Sequence, residues 1–304
     1  MWPPDEIVRQ LRARDELREV APGVIALRGD VAALYHALER AIAGLCALES
    51  ADDWHVPPAI DFATLARADY FASFPQWLTL ASHLSDDVGA LQDVAASGDC
   101  HAALARAATA PQAALNPAVC YHVYSALAGT TVGSPTVVTA QSECWRHEGT
   151  RHRPLERGWA FTMREIVCVG TAADVRTFLD RSIERVTELA LALDLDGTIE
   201  LATDPFFAST GRARRLLQQV KELKRELLLP LDANQRLAAS SFNLHDTFFG
   251  DAFAITLTTG RPATSGCVAF GIERWLLAFL VRHGPAADAW PSIDLLVARE
   301  VQHG

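Results

Sequence analysis

The sequence predicts an α+β fold built on a mainly antiparallel sheet flanked by helices. Amphipathic helical patterns dominate the first 110 residues, and short β-rich segments appear after Pro111, several of them separated by loops of hairpin length. Strands joined by hairpins and followed by helices are typical of α+β proteins. The simplest division is a helical N-terminal region at 1–110 and a sheet domain at 111–304.

The N-terminal region carries helical spacing of apolar residues in several stretches. Residues 4–19 and 30–49 are predicted to form amphipathic helices. Residues 65–77 are predicted to be helical, and residues 86–109 to form one or two alanine-rich helices.

The sheet domain alternates β-rich and helical segments. Strands are predicted at 136–143, 160–170, 198–202, 226–231 and 252–258. Helices are predicted at 172–193, near 211–223 and near 270–283.

Composition limits the function classes. The 304 residues carry a formal net charge of −10, and half of them are hydrophobic. A large tRNA-binding surface is disfavoured, because nucleic-acid binders usually need a basic balance. The sequence lacks an apolar run long enough to span a bilayer, and its N-terminus has no apolar core of the signal-peptide kind, so we expect a cytoplasmic protein. The six cysteines contain no CxxC pair.

The most informative stretch is 143–170, which reads as strand, charged loop and strand. Arg146 and Glu148 are two residues apart, so on a strand they share a face, as do Phe161 and Glu165 on the returning strand. A cation, two carboxylates and an aromatic ring on one surface suit a nucleotide. The alternative is a solvated hairpin held by salt bridges across its strands.

Two segments resemble motifs of class II aminoacyl-tRNA synthetases. An aromatic residue, Arg, any residue and Glu stand at 145–148, as in motif 2, and the approach to them resembles the seryl-tRNA synthetase version. Residues 265–280 resemble motif 3, with Gly271 two residues before the Glu273-Arg274 pair. The resemblance covers roughly residues 110–285 and implies the class II fold.

The resemblance implies an ATP site and assigns roles by position. Arg146 would contact the α-phosphate and the carboxylate of the activated amino acid. Glu148 would accept a hydrogen bond from the adenine amino group, and Phe161 would stack under the adenine. Arg274 would cover the other face of the base and reach the γ-phosphate. Cations placed in advance stabilise the charge that develops during adenylate formation.

A departure from ordinary seryl-tRNA synthetases points to a zinc-dependent branch. Residues 115–124 stand where the ordinary enzymes carry Thr-Ser-Glu, and they contain Cys120. The sequence resembles the atypical archaeal seryl-tRNA synthetases and the truncated amino acid:carrier protein ligases, which implies Zn²⁺ held by Cys120, Glu165 and Cys267. Three protein ligands leave a tetrahedral position open for the substrate amine. The alternative is that both cysteines are buried packing residues.

Magnesium ligands are poorly indicated. The carboxylate expected just before Ser240-Ser241 is replaced by Ala238-Ala239, which leaves Glu226 and Asp246 as candidates for Mg²⁺.

The resemblance also implies the partners. We expect activation of glycine or alanine by ATP, followed by transfer to the phosphopantetheine thiol of a carrier protein, in a homodimer that pairs through residues 55–110. A basic stretch at 211–231 is the expected docking surface for an acidic carrier; an ordinary solvated helix face is the alternative. The candidate carrier contacts are Arg212, Arg214, Arg215 and Lys221. Aminoacylation of tRNA and a non-catalytic synthetase paralogue remain as alternative functions.

Overall fold

A computed structural model describes residues 1–133, 135–149, 152–207, 216, 218–291 and 293. Within these residues the centre of the molecule is a seven-stranded sheet. In spatial order its strands are β10 (Thr198–Leu201), β11 (Lys224–Pro230), β12 (Arg236–Asp246), β14 (Thr264–Gly271), β9 (Ala160–Gly170), β8 (Thr136–Trp145) and β3 (Asp52–His55). All neighbouring pairs are antiparallel except β3 and β8, which run parallel at the edge. The predicted α+β class is confirmed.

One face of the sheet is covered by three helices, α2 (Gly29–Leu48), α8 (Ala172–Ala192) and α10 (Ile272–His283). Their apolar stripes and the inward side chains of the sheet form the largest hydrophobic core. Helix α8 begins with a capping box, in which Thr171 and Asp174 satisfy each other's backbone N–H groups. Helix α1 (Pro4–Ala13) packs against α10.

The opposite face carries shorter elements. Helices α7 (Cys120–Ala126) and α9 (Phe248–Phe253) form a second core with the sheet. The described residues also form helices α3 (Phe62–Arg67), α4 (Tyr70–Ser73), α5 (Val88–Ala96) and α6 (Cys100–Ala107). The remaining strands are β1 (Leu17–Ala21), β2 (Val24–Leu27), β4 (Ala59–Asp61), β5 (Leu80–Ala81), β6 (Ala113–Leu115), β7 (Thr131–Val132) and β13 (Thr256–Leu257).

Three predicted elements were wrong. The helix predicted at 4–19 ends at Ala13, because Asp15 adopts a positive φ of 58° and the chain then forms the β1–β2 hairpin. The helix predicted at 65–77 is interrupted at Asp69, where φ is 54°, and continues as shorter turns. The strand predicted at 252–258 is mostly helix α9 and its end at Ala254, followed by the two-residue β13.

Residues 1–110 and 111–304 share structure across their predicted boundary. Strand β3 belongs to the first range but pairs with β8 in the central sheet. Helix α2 packs against β9 and α10 from the second range. Helix α2 is also long and apolar enough to cross a bilayer by composition alone. Its apolar residues Val31, Leu38 and Ile42 are buried in the core, which accounts for that composition.

Phe178 on α8 is 2% exposed, whereas Leu191 on the same helix is 63% exposed. We expect Phe178→Ala to lower the free energy of unfolding by about 3–5 kcal/mol, because it leaves a cavity beneath the sheet. Leu191→Ala should change it by less than about 0.5 kcal/mol. Urea unfolding followed by circular dichroism measures both, and equal losses would contradict the assigned core.

Candidate active site

The register of the central sheet brings polar side chains into rows on the face opposite α8. One row runs across neighbouring strands through Lys224, Asn243 and Cys267. The adjacent row contains Glu226, Ser241, Ala269 and Glu165. Directly paired residues in an antiparallel sheet point to the same side, and residues two apart on one strand also share a face. Both rows therefore line one cleft.

Cys120, Glu165 and Cys267 meet at the deep end of this cleft. Their Sγ and carboxylate oxygen atoms all lie within 4.8 Å of one another, and all three residues are buried. Glu165 and Cys267 are diagonal neighbours on β9 and β14, and Cys120 comes from the start of α7. The structure thus brings together residues that are far apart in sequence.

Cys120, Glu165 and Cys267, referred to below as the donor set, suit a metal ion. Two thiols and one carboxylate are typical zinc ligands, and bonds of about 2.0–2.3 Å allow one ion to reach atoms this close. The backbone N–H of Val119 donates to Glu165 Oε1 at 2.9 Å, but the buried Glu165 Oε2 has no protein hydrogen-bond partner. Burial raises the pKa of Glu165, and a hydrogen bond with Cys267 together with burial raises that of Cys120. A bound dication would favour the deprotonated forms of all three.

Arg146 lies one residue beyond the end of β8 and lines the same cleft as the three donor residues. Its Nε donates to the carbonyl oxygen of Pro117 at 2.8 Å. Its guanidinium carbon lies 5.4 Å from the ring centroids of both Trp77 and Phe161, which is within cation–π range. The sequence placed Arg146 and Glu148 on a strand; β8 ends at Trp145, so both are loop residues, and both still line the cleft.

Arg274 approaches the same cleft from the first turn of α10. Its Nε donates to the carbonyl oxygen of Glu156 at 3.0 Å, and its Nη1 donates to that of Ala238 at 2.8 Å. Glu148 lies 3.5 Å from Arg157 and is only partly exposed. Cations fixed in advance by backbone carbonyls cost little reorganisation when a charged ligand arrives.

Glu273, the neighbour of Arg274, joins α10 to the start of β9. Both of its carboxylate oxygens accept from the backbone N–H of Thr162 at 2.9 Å. Arg274 and Phe161, the ring predicted to stack on the base, line the same cleft. Burial raises the pKa of Glu273 to about 7, so this clamp titrates near neutrality.

Several named proteins are similar in sequence to this chain. No family model matches it. Two proteins of Bradyrhizobium diazoefficiens, amino acid–acyl-carrier-protein ligases 1 and 2, are each 35% identical to the chain. The matches cover 78% and 82% of the chain and 73% and 75% of those proteins. The chain belongs to the amino acid–acyl-carrier-protein ligase family. The resemblance predicted from residues 145–148 and 265–280 is confirmed.

More distant relatives are aminoacyl-tRNA synthetases. The type-2 serine–tRNA ligase of Methanocaldococcus jannaschii is 31% identical over 60% of this ligase and 37% of its own length. A crystal structure of M. kandleri SerRS with A. aeolicus tRNASec superimposes with a TM-score of 0.83 at 21% identity. This ligase is covered over 98% of its length but spans only 61% of that synthetase. The cytoplasmic serine–tRNA ligase of Naegleria fowleri, solved with AMP, gives a TM-score of 0.72. The class II synthetase fold is confirmed.

The two magnesium candidates lie in different places. Glu226 lines the cleft of the ligase, with its Oε1 3.0 Å from Lys224 Nζ. Asp246 stands at the end of β12 and pairs with Lys221 at 2.9 Å, outside the described lining of the cleft. Glu226 is therefore the better placed of the two.

Three of the four predicted carrier contacts lie outside the described residues: Arg212, Arg214 and Arg215. Lys221 is described, and its side chain is half exposed beside Asp246.

Sequence reasoning missed part of the ligase's cleft. Asn243 donates to Cys267 Sγ at 3.5 Å, and Trp77 packs beside Arg146. Lys224 reaches Asp204 across the cleft at 2.5 Å. The signal for Lys224 was present: it alternates with Glu226 at the start of strand β11, so both charges face the same side. Its partner Asp204 comes from a loop with no such pattern.

The raised pKa of Glu273 predicts how the ligase's stability varies with pH. A carboxyl whose folded pKa of about 7 exceeds its ordinary value of 4.5 favours folding below that ordinary value. This contribution is lost as the pH rises from 4.5 through 7. We expect Glu273→Gln to remove it, so the variant's stability relative to wild type should increase across that window. Thermal unfolding at pH 5 and pH 8 measures the difference; a constant difference would contradict the buried, protonated Glu273.

Proposed function

We propose that this ligase activates glycine or alanine with ATP and passes the aminoacyl group to the phosphopantetheine thiol of a carrier protein. The observation that carries the proposal is one cleft in which two held cations, Arg146 and Arg274, stand beside the buried set Cys120, Glu165 and Cys267. The two arginines suit the phosphates of a nucleotide. The two cysteines and the glutamate suit a metal ion that binds an amine. The names of the Bradyrhizobium relatives support the carrier as acceptor.

The first step forms the aminoacyl-adenylate. A carboxylate oxygen of the amino acid attacks the α-phosphorus of ATP, and the bond to the bridging oxygen of pyrophosphate breaks. Arg146, between the donor set and Phe161, is placed to hold both the carboxylate and the α-phosphate. Arg274 is placed to bind the far end of the triphosphate, while Phe161 stacks on adenine and Glu148 accepts from its amino group. Mg²⁺ neutralises phosphate charge in such reactions.

The second step transfers the acyl group. The carrier's thiolate attacks the carbonyl carbon of the adenylate, a thioester forms, and AMP leaves with the electron pair of the broken bond. The nucleophile belongs to the carrier, so the enzyme itself needs none. Arg146 serves again here, because negative charge develops on the same carbonyl and phosphate oxygens.

The donor set is proposed to hold zinc. Held by Cys120, Glu165 and Cys267, zinc would supply a Lewis-acidic site for the free α-amine of the substrate and so would select amino acids from other carboxylic acids. The residues themselves anchor this end of the substrate: Val119 orients Glu165, and Asn243 orients Cys267. The support is the donor spacing and the unpartnered Glu165 Oε2.

We expect one zinc ion per chain in the wild type and strong loss of it in Cys120→Ala, because two protein donors hold Zn²⁺ far more weakly than three. Cys144→Ala is a matched control, since Cys144 is equally buried but lies outside the donor set. Atomic emission analysis after dialysis measures the metal. Full occupancy in Cys120→Ala would refute the assignment.

Glycine and alanine are favoured because an anchored amine fixes the α-carbon. The side chain then meets the packed lining of the cleft at once. Forcing extra methylenes against a packed wall costs about 1–3 kcal/mol, which gives sharp rejection of larger residues. Glycine and alanine differ by one methyl group and should be separated only modestly.

The function is tested by amino-acid-dependent ATP–pyrophosphate exchange across the twenty amino acids, followed by transfer assays with carrier protein and with tRNA. We expect exchange with glycine or alanine, loading of the carrier and no charging of tRNA. Arg146→Ala should abolish exchange while circular dichroism stays unchanged. A wild type without exchange would support a non-catalytic paralogue, and charging of tRNA without carrier loading would support the synthetase alternative.

The carrier is proposed to dock on the basic segment around Lys221, together with Arg212, Arg214 and Arg215. Reversing the charges of Arg214, Arg215 and Lys221 to Glu should weaken carrier loading several-fold and leave exchange unchanged. The defect should shrink at high salt, because exposed charge pairs are screened within about 8 Å at physiological ionic strength. Normal loading by the triple variant would place the docking surface elsewhere.

A cytoplasmic homodimer that pairs through residues 55–110 completes the proposal.

A further inference from the structure

We propose that the ion pair between Asp204 and Lys224 is the wall that limits the size of the amino acid side chain. The inference deepens the proposed function and rests on it. It names a pair of specificity-determining residues that the motifs of the sequence do not identify.

Lys224 stands two strands away from the donor set, in the same row of the sheet. It pairs with Asn243 on β12, which in turn pairs with Cys267 on β14. Adjacent strands are about 4.8 Å apart, so the row spans roughly 10 Å from Cys267 to Lys224. Asn243 and Lys224 line the cleft on this side of the donor set, so the side chain of an amino acid anchored there would extend toward them.

Asp204 closes the space above this row. It follows β10, and its Oδ1 accepts from Lys224 Nζ at 2.5 Å. Asp204 lines the same cleft as Arg146, His245 and Lys224.

The wall is rigid because every polar group in it has a partner. Gln218 donates to Asp204 Oδ2 at 2.8 Å and accepts from the Asp204 backbone N–H at 2.9 Å. Lys224 is only 11% exposed and also contacts Glu226 at 3.0 Å. A side chain fixed by several hydrogen bonds cannot move aside at low cost, so it excludes a larger substrate sharply.

The charges of the wall also suit a zwitterionic substrate. Lys224 is neutralised by Asp204 and Glu226, so it offers no free cation that would compete with Arg146 for the substrate carboxylate. One lysine faces two carboxylates, so the three side chains together carry one net negative charge. Among amino acids with uncharged side chains, which do not differ in charge, discrimination by the wall should follow side-chain size.

The test measures exchange kinetics with glycine, alanine, 2-aminobutyrate and valine, a series that grows by single carbons. In Asp204→Ala, kcat/KM for 2-aminobutyrate relative to alanine should rise about 10–200-fold, the usual effect of one methylene in a fitted pocket. KM for ATP should stay unchanged. Asp204→Asn, which keeps the volume but loosens the pair, should shift the ratio in the same direction by at least threefold.

The matched control is Asp194→Asn, which breaks an exposed pair with Arg282 of 2.6 Å far from the cleft and should leave the ratio unchanged. A ratio within twofold of wild type in both folded Asp204 variants, or an equal loss of kcat/KM for all four substrates, would overturn the wall. A wild type that activates none of the four substrates refutes the proposed function itself, and the wall's role with it. That result is seen before any variant is compared.

Discussion

Glu165 carries a carboxylate into the middle of the sheet, where its residue is 2% exposed and one of its oxygens has no protein partner. Burying such a group costs several kcal/mol unless it is neutralised or paired. Its neighbours across the strands are Ala140 and Ala269, which are small enough to leave space around it. The cleft, the thiols around it and the segment that holds Val119 are arranged around this one carboxylate.

The two faces of β9 have different roles: one face contacts the helical layer, and the other lines the cleft. Arg164 points away from the cleft and bonds Glu39 on α2 at 2.7 Å, so it ties the helical layer to the sheet. Glu165 and Phe161 point into the cleft. Because alternate residues of a strand face opposite sides, a single eleven-residue strand supplies both the anchor of the core and the floor of the site.

The sequence predicted the features that depend on local period. The bounds of β9 and α8 and the common face of Phe161 and Glu165 follow from alternation or helical spacing. The meeting of Cys120 with Cys267 follows only from resemblance, because it depends on the register between strands and on how α7 lies over them. The errors have local causes too: positive φ angles at Asp15 and Ala254 end elements whose hydrophobic pattern continues past them.

The ion pair of Asp204 and Lys224 escaped prediction for a different reason. Lys224 alternates with Glu226, which indicates a shared face but not which loop crosses it. Asp204 lies in a stretch without periodicity, so only the folded chain reveals the contact. Contacts between a strand and an irregular loop carry the least information in a single sequence.

The short segment from Pro117 to Cys120 makes three contacts at once. Its first carbonyl holds Arg146, the N–H of Val119 holds Glu165, and its last side chain is a candidate metal donor. A substitution that reshapes this segment therefore disturbs both halves of the reaction together. Few substitutions in this segment would leave all three contacts intact. New substrate preferences would therefore evolve through changes at residues of the cleft that make a single contact each.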